Sequence, residues 1–382
     1  MKYWATLLLC ALLAACATPP VPLAPPQLFG DALFGAPSEA VDASQILAVN
    51  DAMRLYLRRE IAAQSHTKNA RHALFDALYG KGQLKLEYDA EFTRNAAQAF
   101  AARSGNCLSL VLMTAAMAKE VGLAVQYQSV ITEHSWSRSG DLYFDSGHVN
   151  LVLGALKADA HRGYESESAL TIDFLPPADT GGYRTVPIEE RTVAAMYMNN
   201  RAAETLVRER LDDAYWWARG AIEQDPGFKS AYNTLGVVFL RHGNLEQARR
   251  AFVFALERDP QDTRVMDNLA QALDALGQGA QARALRETVA RLLPLQPFHF
   301  FDLGRAAMAR GDYQGAVKLF SRELERDPYY HEFHFWLAQA YFRLGDVKRA
   351  DRELGLAIDA STTRRDHQLY AAKLDRIKSL QH

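Results

Sequence analysis

The sequence predicts two folded parts, an α+β domain over residues 38–192 and an all-α helical solenoid over residues 195–361. Three observations lead to this prediction. Glycines and prolines recur at a fixed spacing in the second half, helical and extended patterns mix in the first half, and an apolar segment precedes both. The 382 residues carry a net charge of −2 without a long run of one sign, so we expect no nucleic-acid partner.

The first 15 residues have the pattern of an export signal. Lys2 precedes an apolar core over residues 7–13, which is shorter than the roughly 20 residues of a membrane span. The core ends in LAAC, which resembles a bacterial lipobox and implies cleavage after Ala15 and lipid on Cys16. By resemblance to Gram-negative sorting rules, the next residue, Ala17, implies an outer-membrane anchor that faces the periplasm. An ordinary signal peptide cut near Ala17 is the alternative.

Residues 16–37 form a proline-rich segment, with five prolines between positions 19 and 26. Proline lacks the amide proton that helices and sheets require, so such a segment stays extended. We therefore predict a spacer that separates the lipid, and with it the membrane, from the folded parts.

Small residues and prolines recur every 34 residues in the second half of the chain. This period resembles that of the tetratricopeptide repeat. The resemblance implies five helix pairs over residues 195–361, a closing helix over residues 362–382, and a concave groove that binds a protein or peptide. The residues in register are Pro226, Pro260, Pro294 and Pro328, and Gly243, Gly277, Gly311 and Gly345.

Two of the five units depart from the repeat pattern. In the first unit, Arg201, Ala202 and Glu209 stand where leucine, glycine and the turn glycine are usual. In the third unit, Arg286 stands where phenylalanine is common. Each unit has two positions where glycine is usual. One lies within the first helix, where the two helices approach closely, and the other allows a left-handed turn between them.

The α+β domain contains a cysteine at a predicted helix start. Helical patterns over residues 38–102 end at the break Ser-Gly-Asn, and Cys107 then opens the apolar stretch CLSLVLMTAAMAKEVG. If Cys10 is removed with the signal and Cys16 is lipidated, Cys107 is the only free thiol. A helix N-terminus favours the thiolate, which is the nucleophilic form of cysteine. A small buried apolar side chain is the alternative role for Cys107.

Two predicted strands after this helix carry a histidine and an aspartate. His148 opens the strand SGHVNLVLG, and Asp173 lies within ALTIDFLPP. A histidine beside a thiol can hold its proton and deliver it to a leaving group, and a carboxylate can orient the imidazole. The competing residues are His134 for the histidine, and Asp145 and Asp179 for the aspartate.

The stretch AFAARSGNCLSLVLMTAAMAKEVGL, followed by a histidine strand and an aspartate strand, resembles the bacterial transglutaminase-like branch of the papain-like superfamily. The resemblance covers about residues 45–190. It implies that Cys107 is the nucleophile, His148 the general base and acid, and Asp173 the orienting carboxylate. It further implies a cysteine peptidase or amide acyl-transferase acting on a peptide that the repeats hold. The backbone N–H of Cys107 and the side chain of Asn106 are candidates for the oxyanion hole.

A non-catalytic repeat scaffold that assembles envelope proteins is the alternative function. We expect no cofactor, because the sequence contains no glycine-rich phosphate loop. We also expect no metal site, since His331 and His334 fall at repeat positions and are interpreted as a chance pair.

Overall fold

The computed structural model describes residues 23–64, 69–80, 84, 86–131, 136–139, 142–145, 147–156, 169–174 and 184–379. The predicted signal over residues 1–15 and the lipidation site Cys16 lie outside the described residues. The same holds for the alternative residues His134 and Asp179.

The amino-terminal part begins with helices packed around one buried helix. These are α1 (Asp51–Gln64), α2 (Ala70–Tyr79), α3 (Ala96–Ala102) and α4 (Cys107–Glu120). Every residue of α4 from 108 to 118 is buried, which agrees with its nearly continuous apolar sequence. The centre of this domain is therefore the helix that Cys107 begins.

The described strands of the amino-terminal part are β1 (Glu87–Tyr88), β2 (Ser104–Gly105), β3 (Leu123–Ile131), β4 (Trp136–Ser139), β5 (Leu142–Asp145), β6 (His148–Leu156), β7 (Leu170–Ile172) and β8 (Arg184–Ile188). Four of them form an antiparallel sheet that packs against α4, in the order β7-β6-β3-β8. The pairing of β3 with β6 places His148 opposite Val130 at one end of the ladder. The amino-terminal part therefore combines helices with a sheet.

The second part is an all-α solenoid of consecutive helix pairs within the continuously described range 184–379. The two helices of each pair pack on each other, and successive pairs pack together within the first three pairs and again within the last two. The helices are α5 (Glu190–Val207), α6 (Leu211–Gln224), α7 (Lys229–His242), α8 (Leu245–Arg258), α9 (Thr263–Ala275), α10 (Gly279–Leu292), α11 (His299–Ala309), α12 (Tyr313–Arg326), α13 (His331–Arg343), α14 (Val347–Asp359) and the final helix α15 (Arg364–Ser379).

Glycine and phenylalanine are matched where the two helices of a pair cross. A Cβ on Gly236 would lie 2.4 Å from the Phe252 ring, and a Cβ on Gly304 would lie 2.5 Å from the Phe320 ring. In the other three units, the residue sixteen positions later in the second helix is smaller or more flexible than phenylalanine, and the first helix carries alanine in place of glycine. These pairs are Ala202 with Ala218, Ala270 with Arg286, and Ala338 with Leu354. The ring size on one helix thus decides whether the other helix needs glycine.

The turns between the helices of a pair use a left-handed residue. Gly243 has a φ of 88° and Gly311 a φ of 79°, a conformation that glycine adopts without steric cost. In the first unit the same turn position is Glu209, and its φ is also positive, at 59°. The turn is therefore kept in the first unit despite the missing glycine, with strain at Glu209.

The apolar core of the solenoid is divided at the third unit. One cluster of buried side chains extends from Leu28 through the sheet to Ala282, and a second extends from Phe298 to Ile377. Helix α10 between them buries only Ala282 and Val289. The exposed Arg286 on this helix pairs with Asp274. The substitution of arginine for the usual phenylalanine explains why the core is thin here.

Residues 26–39, here called the docked segment, lie against the first repeat unit rather than extending freely. The Gly30 N–H donates to the Tyr215 hydroxyl at 2.8 Å, and the Ser38 N–H donates to Asp213 Oδ1 at 2.6 Å. In return, the Trp216 indole N–H donates to the Gly35 carbonyl at 2.6 Å. These partners all lie on α6.

Phe34 is the apolar anchor of the docked segment. Its ring stacks on Tyr215 with centroids 4.1 Å apart and an interplanar angle of 6°. It also contacts Phe239 and His242 at the end of α7. The sequence predicts an extended spacer over residues 16–37. The described part of this segment is instead held on the repeats, by hydrogen bonds to α6 and by the aromatic contacts of Phe34. It also contains two short 3-10 turns.

Candidate functional site

The site begins at the N-terminus of α4, where Asn106 is the helix cap. Its Oδ1 accepts hydrogen bonds from the Ser109 N–H at 2.9 Å and the Ser109 hydroxyl at 2.8 Å. Its Nδ2 donates to Thr93 Oγ1 at 2.9 Å. Asn106 is therefore the N-cap of α4, and its Nδ2 is held by Thr93 through one of its two N–H groups.

Cys107 is the first residue of α4, and its free thiol is partly buried. The thiol lies close enough to the imidazole of His148, the first residue of β6, to raise the pKa of that ring. Helix α4 packs across β6, and this packing brings together two residues that are far apart in the sequence.

His148 is held from its other side by Asp173. The ring is buried, with 4% of the residue exposed, and Nε2 lies 2.6 Å from Asp173 Oδ1. Because Nε2 faces the carboxylate, Nδ1 is the ring nitrogen left for the Cys107 side. The structure therefore brings Cys107, His148 and Asp173 together, with His148 interacting with both of the others. The alternative Asp145 ends β5 instead.

Asn150 is a further member of the cluster that the sequence did not single out. It follows His148 by two positions on β6, so both side chains point to the same face of the sheet. Its Nδ2 donates to Asp173 Oδ2 at 3.1 Å. Each oxygen of the Asp173 carboxylate thus has a partner on β6. In the sequence, the only indication of this role is that Asn150 lies two residues after His148 in a predicted strand, so that both side chains share one face.

The electrostatics of the cluster favour a protonated histidine. Burial alone would lower the pKa of His148, because it disfavours the charged ring. The hydrogen bond to Asp173, together with the hydrogen bond and negative charge of Cys107, outweighs burial and raises the pKa of His148 to about 9. At neutral pH the arrangement therefore suits a protonated, positively charged His148 ring.

A second candidate site lies on the repeats, between the first helices of two successive pairs. A cavity of about 550 Å³ opens between α11 and α13. The Arg305 guanidinium lies 5.2 Å from the centre of the Trp336 ring, and that of Arg343 lies 5.9 Å from the centre of the Tyr313 ring. Asp302 also lines the cavity, so its charged groups are two cations and one anion.

The two histidines of α13 take part in packing. His331 Nδ1 is 2.8 Å from the Tyr370 hydroxyl, and His334 lies 2.8 Å from Glu353 and 3.0 Å from the Pro328 carbonyl. Within the described ranges, no three His, Cys, Asp or Glu side chains are grouped so that they could hold a metal ion. Among the described helices, none combines the length and apolar character that crossing a membrane requires.

Comparison with known families assigns the repeats. The family described as tetratricopeptide repeat matches residues 233–299 and 301–363. In sequence, human protein O-mannosyl-transferase TMTC3 is 31% identical over 144 residues, which are 38% of this chain and 15% of that protein. The chain thus matches only a small part of TMTC3. The matched residues are therefore tetratricopeptide repeats within the all-α solenoid, an architecture that suggests a protein or peptide partner.

Several solved repeat proteins are similar to this chain. YrrB, described as a TPR protein with an unusual peptide-binding site, is 22% identical over 49% of this chain and 99% of its own, with a TM-score of 0.26. TTC0263, a TPR protein from Thermus thermophilus, is 19% identical over 47% of this chain and 98% of its own, with a TM-score of 0.30. Yeast Tom70 is 17% identical over 49% of this chain and 40% of its own, with a TM-score of 0.33.

Proposed function

We propose that this chain is a protein-binding scaffold whose repeats hold a peptide segment of a partner. The cavity between α11 and α13 is the observation that carries the proposal. It lies between the first helices of neighbouring units, and stacked units of this kind form extended concave binding surfaces. The tetratricopeptide match over residues 233–363 supports the same function.

The lining of the cavity favours an acidic peptide with an apolar side chain. Arg305 and Arg343 are exposed, and guanidinium groups bind carboxylates in a planar, two-pronged geometry. Trp336 and Tyr313 offer aromatic surface next to both cations. A carboxylate beside an apolar residue would satisfy both kinds of group at once.

A peptide array tests this proposal. Purified full-length chain is applied to an array of short peptides that vary in charge and apolar content, and bound peptides are then titrated by fluorescence anisotropy. We expect acidic peptides with an apolar residue to bind, and the double variant Arg305→Glu, Arg343→Glu to weaken binding by about 100-fold, since two charge-assisted contacts are lost.

Arg283→Glu is the matched control, because Arg283 is an exposed arginine of α10, outside this cavity. This variant should leave the affinity within about 2-fold of the native value. Equal loss of binding in both variants would point to general charge attraction and would contradict the assignment of the cavity.

A second function is favoured by one specific observation, the grouping of Cys107 and Asp173 around the His148 ring. We propose that this cluster cleaves or transfers an amide bond. The Cys107 thiolate attacks the carbonyl carbon and forms a C–S bond, while the charge develops on the carbonyl oxygen near the Cys107 N–H. His148 then gives its Nδ1 proton to the departing amine as the C–N bond breaks.

The resulting thioester would react with water in a peptidase or with a second amine in an acyl-transferase. In either case His148, neutral after the first step, accepts the proton of the incoming nucleophile and the thiolate is released. Asp173 keeps the imidazole oriented throughout and stabilises its charged form.

The rate of Cys107 alkylation tests the thiol chemistry. Full-length chain is treated with iodoacetamide, and modification is read on the tryptic peptide 104–119, in which Cys107 is the only cysteine. We expect iodoacetamide to modify Cys107 in the folded chain at neutral pH, because the thiolate is the reactive form and His148 can hold the thiol proton. His148→Ala should slow this modification by about 10-fold, and the exposed control His72→Ala should not. A thiol that is modified only after unfolding, or equally fast in His148→Ala, would contradict the proposal.

We also propose lipid attachment at Cys16 and residence at the outer membrane, facing the periplasm. The support is the lipobox-like sequence before Cys16. Metabolic labelling with a palmitate analogue should mark the native chain and not Cys16→Ser. Equal labelling of both, or of neither, would contradict the anchor.

A further inference from the structure

The packing between successive repeat units is incomplete at one junction, between the third pair (α9 and α10) and the fourth pair (α11 and α12). Within the continuously described range 184–379, α8 packs on α9 and α12 packs on α13, whereas α10 has no comparable packing on α11. The two clusters of buried apolar side chains end on either side of this junction, at Ala282 and at Phe298. Neighbouring units of a repeat array normally bury the surface between them. The junction is therefore open.

The open junction exposes a leucine that recurs every 34 residues in the first helix of a pair. This leucine is buried in the second, third and fifth units, with 0%, 6% and 4% exposed at Leu235, Leu269 and Leu337. In the fourth unit the same position is Leu303, which is 46% exposed. Leu292, at the end of α10, is also 46% exposed. An apolar side chain thus lies uncovered on each side of the junction.

The link between α10 and α11 contains a strained residue. Phe298 directly precedes α11 and has a φ of 61°, a left-handed conformation that is unfavourable for a bulky side chain. Its ring is buried in the last two units, where it contacts the rings of Phe301, Tyr330 and Phe333. Packing on one side of the junction therefore maintains the strain. Strained backbone of this kind is typical of segments that switch conformation.

The rest of the link is attached more firmly to the fourth unit than to the third. Arg326 of α12 donates to the carbonyls of Leu295 and Gln296, both at 3.2 Å. Across the junction, the side-chain amide of Gln296 is 3.5 Å from the carboxylate of Asp267 on α9, at the limit of a hydrogen bond. A pivot between the third and fourth units therefore lies before Leu295, in residues 293–294.

The far end of the array is attached to the amino-terminal domain beside β1. The Ala90 N–H donates to the Thr362 carbonyl at 2.8 Å, and Arg364 pairs with Glu87 at 2.6 Å. Both side chains of the ion pair are more than half exposed, so dissolved salt weakens it. These two contacts are here called the latch. The latch restrains the fourth and fifth units from the end opposite to the pivot.

We propose that the fourth and fifth units move as one body about residues 293–294, between this open junction and a closed one in which α10 of the same chain covers Leu303. Helix α10 is the expected occupant because the second helix of the preceding pair packs on the first helix at the other junctions, α6 on α7, α8 on α9 and α12 on α13. Its connection through a short link also gives it a high effective concentration.

Closure would make the first helices α9 and α11 neighbours, as the first helices of α7 and α9 are. The concave surface would then run without interruption through the units, whereas the latch favours the open junction. The inference goes beyond the proposed function, because it concerns the shape of the array and not the peptide that the array holds.

Paired spin labels on the full-length chain test the inference. Glu287→Cys on α10 and Lys318→Cys on α12, both at exposed positions, are labelled in a chain whose native cysteines are replaced by serine, and distances are measured by double electron–electron resonance. We expect two distances. Arg364→Glu should raise the ratio of the shorter to the longer by about 3-fold, because the latch ion pair is lost, and about 1 M salt should act in the same direction.

Leu303→Asp tests the closed junction itself. This variant should remove the shorter distance, because closure would bury a carboxylate under α10. The matched control is Leu356→Asp on α14, at a leucine that is 42% exposed, and it should keep both distances. Since both leucines are exposed in the open junction, both variants should keep the urea midpoint of the parent chain.

The labelled pair Glu257→Cys and Glu287→Cys, on α8 and α10, is the control for bending elsewhere and should give one distance under all conditions. Two distances in this pair would mean that the array bends throughout, which contradicts a single pivot. A single distance in the first pair, or a shorter distance that survives Leu303→Asp, would overturn the proposal.

Two further results would also count against the proposal. An unchanged ratio of distances in Arg364→Glu would remove the latch from it. Loss of the shorter distance on dilution with unlabelled chain would identify a second copy, and not α10, as the occupant of the junction. None of these readings depends on peptide binding, so they are separate from the test of the proposed function.

Discussion

The repeat array and the amino-terminal domain are built in opposite ways. In the array, the same contact recurs within each helix pair, between residues sixteen positions apart such as Gly236 and Phe252. In the amino-terminal domain, a single cluster joins Cys107, His148 and Asp173 across 41 and then 25 positions. Contacts that repeat between nearby residues produce a periodic pattern in the sequence. A cluster that forms once involves single residues, and their role can be recognised only from the fold.

The two regions also respond to different perturbations. Stability in the array depends on apolar packing and turn geometry, and a change in one unit affects mainly its neighbours. The thiol cluster depends on charge, so it responds to pH. The docked segment and the contact of α15 with β1 are two of the places where the two regions meet.

Loss of the Phe34 ring should give the largest effect, because this side chain holds the docked segment on the repeats. Phe34→Ala removes a buried ring stacked on Tyr215, which we expect to lower the free energy of unfolding by about 3 kcal/mol. Residues 26–39 should then become accessible to protease in the native protein, as measured by limited digestion and mass spectrometry.

Leu33→Ala is the neighbouring control, since Leu33 is 38% exposed. Its effect should stay below about 1 kcal/mol. If protease cuts residues 26–39 equally fast in the native chain and in Phe34→Ala, the docked segment does not bridge the two regions.

The pH dependence of stability should distinguish the thiol cluster from the array. The folded pKa of His148, about 9, is above its ordinary value of 6.5, so its contribution is fully present below pH 6.5 and is lost as pH rises through 9. We expect a loss on the order of 2 kcal/mol over this range in urea unfolding of the native chain.

His148→Gln should flatten this pH dependence, because glutamine does not titrate. The control His72→Gln, at an exposed position, should keep the native slope. A slope that survives in His148→Gln would place the titrating group elsewhere.

The glycine rule of the array is tested by Gly236→Ala. The new Cβ would overlap the ring of Phe252, which is fully buried and has no room to move. We expect a loss of about 1.5 kcal/mol, measured by hydrogen exchange of α7 and α8 and by urea unfolding.

Gly355→Ala is the matched control within a helix of the same array. Nothing lies within 4 Å of its Cβ position, so alanine should stabilise α14 by about 0.5–1 kcal/mol. The same sign of change in both variants would mean that helix propensity, rather than the close approach, decides the glycine positions.

The smallest expected effect concerns the strained turn of the first unit. Glu209→Gly should stabilise the protein by about 1 kcal/mol, because glycine adopts the φ of 59° without steric cost. The reciprocal variant at the same turn of the second unit, Gly243→Ala, should destabilise by a similar amount, since Gly243 has a φ of 88°. Thermal unfolding of both variants measures the pair. Destabilisation by Glu209→Gly would show that the Glu209 side chain contributes more than its backbone strain costs.

Much of the solenoid could be predicted from the sequence, because the residues that determine the structure of a unit lie within that unit. The turn glycines and the helix-ending prolines each occur four times at 34-residue spacing, so register and helix pairing follow from that spacing. Arg286 in place of phenylalanine predicts a smaller apolar core at α10. The structure was needed to show that only Ala282 and Val289 of this helix are buried. The docked segment was missed because its partners, Tyr215 and Trp216, lie nearly two hundred residues away.

For the amino-terminal domain, the sequence by itself determined a cysteine at a helix start and two candidate strands carrying His148 and Asp173, since helix breaks and strand alternation are local signals. Only the tertiary structure decided which side chains meet. It gave Asp173 a second partner in Asn150, made Asn106 the cap of α4, and paired Tyr88 with Gly105 in a two-residue strand too short to leave a pattern. The physical reason is that hydrogen-bond direction and burial depend on neighbours in space, and those neighbours are distant in the chain.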